Sequence, residues 1–147
     1  MKSERQTKGS EYFHQGYNCS QSVVMAFEDV LKTDRTTLET LSVGLGGGVG
    51  RMREVCGTVT GMAVVIGMIK GTDDPMSKNT VYPYVQEACR RFKEMNGSIV
   101  CRELLAGVPH TDGGTAQPRT EEFYKKRPCA ELVEVSIGIV EELLCMN

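Results

Sequence analysis

Residues 44–70 read GLGGGVGRMREVCGTVTGMAVVIGMIK, a glycine-rich segment followed directly by a long apolar run. Five glycines within residues 44–50 exclude a stable helix interior there, because each costs about 1 kcal/mol relative to alanine. Glycine also permits left-handed turns, so this segment predicts a tight turn. The apolar run over residues 54–70 predicts a long helix. Gly57 and Gly61 lie four apart on one face of it, which predicts close packing of another helix.

Helical spacing of apolar residues continues over most of the remaining chain, and strong capping residues such as Asn18 mark helix starts. No stretch shows the alternation typical of a strand. We therefore predict an all-α fold, a single-domain compact bundle of five to seven helices with a glycine-rich turn, over residues 1–147. The predicted helices cover residues 3–15, 19–31, 38–43, 54–70, 76–96 and 98–105, with a turn or two from 120, a final helix from 128, and loops at 44–51 and 107–119.

The composition fits one domain and argues against two classes of partner. A chain of 147 residues with 40% hydrophobic residues can bury a core of its own. A net charge of −2 gives no basic footprint for nucleic acid. The N-terminal residues lack the apolar segment of a signal peptide, and the longest apolar stretch, residues 55–69, is shorter than the roughly 20 residues that span a bilayer. We predict a cytoplasmic protein without a nucleic-acid or membrane partner, whose thiols stay reduced.

Four of the six cysteines fall where the sequence predicts a helix to begin. A helix N-terminus carries partial positive charge and unpaired N–H groups, which favour the thiolate over the thiol. The thiolate is both a nucleophile and a metal ligand, so this pattern predicts cysteine chemistry. These four helix-start cysteines are Cys19, Cys56, Cys101 and Cys129.

The remaining candidates carry weaker signals. Cys89 falls in mid-helix and Cys145 in the last turn before the C-terminus, so we expect both to be packing or surface residues away from the helix-start cysteines. His14 and His110 are the only histidines. A ligand or base role is open for each, but a surface histidine is the more common case.

Thiol-based redox chemistry is the first interpretation of the helix-start cysteines. Cys56 is the predicted reactive thiol, because Arg51 and Arg53 precede it closely and a nearby guanidinium lowers a thiol pKa. A neighbouring cysteine would resolve the mixed disulfide. Gly47, Gly48 and Arg51 in the glycine turn are the predicted contacts for the substrate or cofactor.

Two other classes of function stay open at this point. Four thiolates from Cys19, Cys56, Cys101 and Cys129 would also suit one zinc ion or one iron–sulfur cluster, although no CxxC pair is present. Alternatively, the chain is a helical interaction module with incidental cysteines, and Gly57 with Gly61 marks a homodimer interface. The cofactor therefore stays open between none, zinc and an iron–sulfur cluster.

The ordered set of motifs resembles the C_GCAxxG_C_C family, which is named for its cysteine pattern and described as redox-active. Ser20 and Thr58 stand where alanines are typical of that family, and both are small enough for the fold to persist. The resemblance implies redox activity at the helix-start cysteines, with a redox partner protein or a small thiol or disulfide, and related domains joined to iron–sulfur modules keep a cluster open. The matching pieces are GYNCSQSV at 16–23, LGGGVGR at 45–51, VCGTVTG at 55–61, GSIVCREL at 97–104, and Cys129 with Leu132-Val133.

Overall fold

A computed structural model describes residues 1–146, and these residues form eight α-helices and no strand. The all-α prediction is confirmed, but five to seven helices is too few, because two short helices count as separate elements. A 3-10 turn over Pro75–Ser77 precedes the fifth helix. The helices are α1 Glu4–His14, α2 Cys19–Ala26, α3 Arg35–Val43, α4 Gly57–Lys70, α5 Lys78–Asn96, α6 Cys101–Leu104, α7 Glu121–Lys126 and α8 Cys129–Leu143.

Several predicted helix boundaries shift, each for a local reason. The helix from Cys19 ends at Ala26 rather than residue 31, because tight turns over residues 27–30 bury the Phe27 side chain. Helix α3 begins three residues earlier than predicted because Asp34 caps it, accepting a hydrogen bond from the Thr37 backbone N–H at 3.2 Å. Helix α4 begins at Gly57 because Val55, just before it, pairs with Val100 in an antiparallel bridge.

Helix α2 lies at the centre of the bundle, and every residue from Ser20 to Ala26 is buried. It packs against α1, α3, α4 and α8, while α5 covers the other side of α4 and α8. The core is mainly Val, Ile, Met and Phe side chains, including Phe13 and Phe27. Within residues 1–146, no helix combines the length and apolar character needed to cross a membrane.

Gly57 and Gly61 lie against α2 of the same chain. A Cβ added at Gly61 would approach the Val23 Cβ to 2.9 Å, and one at Gly57 would approach the Cys19 Cβ to 3.2 Å. The close helix–helix contact is therefore confirmed. The same contact places this face inside the monomer, so the idea that it forms a homodimer interface is wrong.

We expect Gly61→Ala to destabilise the fold by about 1–2 kcal/mol, since overpacking against Val23 exceeds the gain in helix propensity. Gly67→Ala in the same helix is the matched control, because nothing lies within 4 Å of its added Cβ. That change is expected to stabilise by up to about 1 kcal/mol. Urea denaturation of both variants measures the difference, and equal effects would contradict the packing explanation.

Candidate functional site

The glycine segment forms a left-handed turn. Five consecutive residues have positive φ: Gly47 67°, Gly48 73°, Val49 65°, Gly50 55° and Arg51 65°. Glycine adopts this region freely, whereas a valine or arginine there costs about 1–2 kcal/mol. Backbone hydrogen bonds between residues six apart close the turn. The Gly50 N–H donates to the Gly44 carbonyl at 2.8 Å, and the Arg53 N–H donates to the Gly47 carbonyl at 3.1 Å. The turn therefore delivers the chain to Cys56 in one fixed direction.

An antiparallel bridge between Val55 and Val100 brings together the two segments that carry Cys56 and Cys101. The Cys56 N–H donates to the Ile99 carbonyl at 2.8 Å, and the Cys101 N–H donates to the Glu54 carbonyl at 2.6 Å. This pairing of chain segments with no strand-like pattern was not predicted. It fixes the starts of α4 and α6 next to each other.

Gly48 is the point of closest approach between the turn and this pair. A Cβ on Gly48 would lie 2.7 Å from the Cys101 Cβ and 2.7 Å from the Glu54 nitrogen. Only a glycine fits between these atoms, so the turn presses directly on the start of α6.

Cys19 and Cys129 form a second pair, at the starts of α2 and α8. Asn18 caps α2 as predicted, accepting a hydrogen bond from the Gln21 N–H at 2.9 Å, while the Gln21 side chain accepts from the Asn18 N–H at 3.1 Å. Cys129 is the first residue of α8 and is 7% exposed. The thiols of Cys19 and Cys129 lie close enough for each to shift the pKa of the other.

All four helix-start cysteines line one small cavity of about 30 Å³, which we call the cysteine cavity. Its volume is roughly that of one water molecule. All six cysteines are free thiols. Within residues 1–146, no group of three or more His, Cys, Asp or Glu side chains is placed to hold a metal ion.

The local contacts explain why four neighbouring thiols do not make a common ligand set. Cys19 and Cys129 engage each other, and the Cys56 sulfur lies 3.1 Å from the Thr58 hydroxyl. Arg53 donates to the Cys101 sulfur at 3.8 Å. Each thiol is thus held by its own partner around the wall of the cavity.

The hydrogen bond from the Cys19 thiol lowers the pKa of Cys129 to about 6, with further help from Arg127 and Arg119 against an opposing effect of burial. The same hydrogen bond, together with burial, raises the pKa of Cys19 well above its usual value. The environment of the pair therefore favours negative charge on Cys129 and the proton on Cys19.

Cys56 and Cys101 behave differently from this pair. Burial raises the pKa of Cys56 to about 11, and the Thr58 hydroxyl offsets only part of that rise. Burial also raises the pKa of Cys101, although Arg53 opposes it. At Cys56 burial outweighs the helix N-terminus, and Arg51 and Arg53 donate to other groups, so this environment does not favour a Cys56 thiolate. Cys56 as the reactive thiol stays a prediction.

An open cleft of about 340 Å³ lies outside the Cys19–Cys129 pair. Both cysteines line this cleft as well as the cysteine cavity, whereas Cys56 and Cys101 line the cavity alone. The cleft thus gives access to Cys19 and Cys129. Four arginines line it, and we call it the arginine cleft: Arg51, Arg53, Arg119 and Arg127.

The predicted turn residues Gly47, Gly48 and Arg51 surround these spaces in different ways. Gly47 lines both the cleft and the cavity, and Gly48 lines the cavity. The Arg51 guanidinium donates to the backbone carbonyls of residues 111, 113 and 115, so it fastens the loop before α7 to the glycine turn. A role for these residues in binding a substrate or cofactor stays a prediction.

The weaker candidates lie elsewhere. The ring of His14 stacks on Tyr124 at 4.7 Å between centroids, and His110 is bonded to the Val108 carbonyl in the loop. Cys89 and Cys145 do not line the cysteine cavity or the arginine cleft. Neither His14 nor His110 lines the cysteine cavity or the arginine cleft.

Sequence reasoning missed Arg119 and Arg127. Arg127 lies two residues before Cys129, and the rule that pointed to arginines before Cys56 would have found it. Arg119 gives no local signal, because it reaches the site by donating to the Phe13 carbonyl across a separation of 106 residues. Thr58 and Ser20 are the two positions where the resembled family typically has alanine. The Thr58 hydroxyl contacts the Cys56 sulfur, whereas the buried Ser20 hydroxyl has no hydrogen-bond partner in the described residues.

Comparison with known proteins gives one family. A family model described as "Putative redox-active protein (C_GCAxxG_C_C)" matches residues 17–143, a span that includes all four helix-start cysteines. Neither the curated proteins nor the solved structures give a match.

Proposed function

The chain belongs to the C_GCAxxG_C_C family of redox-active proteins, and from that premise we propose that it is a thiol–disulfide redox protein that reacts through Cys129 and Cys19. The observation that carries the proposal is that Cys129 and Cys19 together line an open cleft, and the lowered pKa of Cys129, about 6, supports it. A nucleophile with a pKa near 6 and an adjacent resolving thiol is the arrangement that disulfide exchange requires.

The reaction balances with these two residues. The Cys129 thiolate attacks one sulfur of a substrate disulfide, and the other substrate sulfur leaves with the electron pair of the broken bond. Cys19 then gives up its proton and attacks the Cys129 sulfur, which releases the second substrate thiolate. The two thiolates take up the Cys19 proton and one proton from solvent, so the substrate is reduced to two thiols and Cys19–Cys129 is oxidised to a disulfide. A dithiol reductant would restore the starting state.

In the proposal Cys56 and Cys101 do not react with the substrate, because they line the cysteine cavity and not the arginine cleft. Both are buried, have raised pKa values and lack access to the arginine cleft, so they are neutral thiols at the back of the cysteine cavity. They lie close to the pair, since Cys56 raises the pKa of Cys19 and Cys129 raises the pKa of Cys101.

The alternative functions have less support. A zinc or iron–sulfur site needs ligands that converge on one point, and the described residues supply no such group. The interaction-module hypothesis has less support because the Gly57–Gly61 face packs against α2 of the same chain. A cytoplasmic location remains the expectation for a protein that works with reduced thiols.

The pH dependence of alkylation tests the proposed thiolate. Because its pKa is lowered to about 6, Cys129 is expected to react with iodoacetamide with an inflection near that pH and at full rate at neutral pH. Cys56, with its pKa raised to about 11, is expected to stay unmodified over the same range. Peptide mass spectrometry after short pulses at each pH assigns the rates, with exposed Cys145 as the internal reference for an accessible thiol. Equal inflections for Cys129 and Cys145 would refute the assignment.

A further inference from the structure

The arginine cleft concentrates positive charge in a chain that is negative overall. Four guanidinium groups line it, and none of its lining residues in the described part of the chain is Asp or Glu. The whole protein has a net charge of −2, so this is a local excess rather than a general property. A cleft lined by one sign of charge raises the local concentration of ions of the opposite sign.

The four arginines are held by neutral groups instead of carboxylates. Arg119 donates to the carbonyls of Phe13 and Tyr17 at 2.8 and 3.0 Å, and Arg127 donates to the Gln117 side chain. Arg53 donates to the Thr111 carbonyl at 2.7 Å. Across residues 1–146, the ion pairs involve other arginines and leave these four without a carboxylate partner.

Two of these side chains also keep an unused donor. The Nε atoms of Arg53 and Arg127 are buried and have no hydrogen-bond partner, and Arg53 is only 7% exposed. A buried donor without a hydrogen-bond partner is costly, so an anion that accepts from these Nε atoms is favoured. The pKa of Arg51 is lowered by burial and by the charges of Arg53 and Arg127, and the Asp112 carboxylate opposes them in part.

Aromatic rings fix the outer two guanidinium groups in place. Arg119 lies over the Phe13 ring at 4.4 Å and over the Phe123 ring at 4.9 Å, and Arg127 lies over the Phe123 ring at 4.7 Å. Guanidinium groups held in this way lose little entropy when they bind a carboxylate. The donors are therefore in place before a ligand arrives.

We infer that the arginine cleft selects small disulfides whose ends carry carboxylates. The inference rests on the proposed function, because it names the substrate class of the same Cys129–Cys19 pair. A volume of about 340 Å³ lies in the range of small-molecule sites, roughly 300–1,000 Å³. One carboxylate bound by the arginines places the adjacent disulfide over the Cys129 sulfur, and the exchange then proceeds as written above.

Three symmetric disulfides of similar length test the charge preference. Dithiodipropionate is a dianion, hydroxyethyl disulfide is neutral and cystamine is a dication. The rate with each is divided by its rate with free mercaptoethanol, which removes differences in intrinsic reactivity. At low ionic strength we expect the normalised rate of the dianion to exceed that of the dication by about 10-fold or more. In high salt we expect this dianion-to-dication ratio to fall towards one.

Matched variants locate the preference. Arg127→Gln and Arg119→Gln are expected to lower the dianion-to-dication ratio several-fold. Arg90→Gln removes the same charge from an exposed position on α5 that is ion-paired with Glu87 and Glu94, and it is expected to leave the ratio unchanged. The ratio cancels any change in the Cys129 pKa, since that change affects all three disulfides alike.

Binding without chemistry separates this inference from the proposed function. Octanedioate has methylene groups in place of the sulfurs of dithiodipropionate, and we expect calorimetry to detect its binding to a Cys129→Ser variant and a loss of that binding in the added Arg119→Gln change. Equal normalised rates for the three disulfides, or no octanedioate binding, would overturn the anion preference and leave disulfide exchange standing. Binding of octanedioate with no reaction of any disulfide would instead overturn the proposed function and leave an anion-binding cleft.

Discussion

Replacing Cys129 with serine is expected to remove disulfide reduction by the protein, with a fall in rate on the order of 10³-fold or more, as for loss of an enzyme nucleophile. Cys129 is the one helix-start cysteine whose pKa is lowered, and it lines the open cleft. The hydroxyl that replaces it is not ionised at neutral pH and cannot form the mixed disulfide. Stopped-flow measurement of the reduction of hydroxyethyl disulfide gives the rate without involving charge selection.

Two companion variants make the Cys129→Ser result specific. Cys89→Ser removes a half-buried thiol on α5 outside both cavities, so it is expected to keep the full rate. Cys19→Ser retains a hydroxyl that can still donate to the Cys129 thiolate but cannot resolve the intermediate, so the mixed disulfide is expected to accumulate and be detected by its added mass. If Cys129→Ser reacts normally while Cys56→Ser does not, the assignment of the nucleophile is wrong.

Gly48→Ala is expected to destabilise the fold by about 3 kcal/mol, the second large effect. The substituted residue would occupy φ 73°, and its Cβ would lie 2.7 Å from the Cys101 Cβ. A left-handed non-glycine residue costs about 1 kcal/mol and overpacking against a fixed backbone adds about 2 kcal/mol. Chemical denaturation of the two proteins measures the difference.

Gly50→Ala is the matched control for the Gly48 variant. Gly50 also has a positive φ, 55°, but its added Cβ would meet only the Gly44 carbonyl at 3.9 Å. The expected cost is about 1 kcal/mol, from backbone conformation alone. Equal losses in the two variants would show that the contact of Gly48 with Cys101 contributes nothing to stability.

The local part of the site could be predicted from the sequence because its causes are local. Asn18 caps α2 through its side chain and so places Cys19 at the first residue of that helix. Cys101 and Cys129 are also first residues of helices and Cys56 is a helix cap, as the local sequence predicted, although no side-chain cap hydrogen bond forms there. The same signals predicted the all-α fold and the tight turn. The bounds of α2 and α4 shifted because burial of Phe27 and pairing of Val55 with Val100 are tertiary effects.

The ranking of the thiols was decided only by the tertiary structure. Neighbouring arginines in the sequence favoured Cys56, yet packing buries it and raises its pKa to about 11, while the Arg51 guanidinium turns to the loop carbonyls. The pKa of Cys129 is lowered because Cys19, more than a hundred residues earlier, is folded next to it. A helix start can be predicted from nearest neighbours, but desolvation and a hydrogen bond from a distant residue exist only once the chain has folded, and these two effects set which sulfur carries the charge.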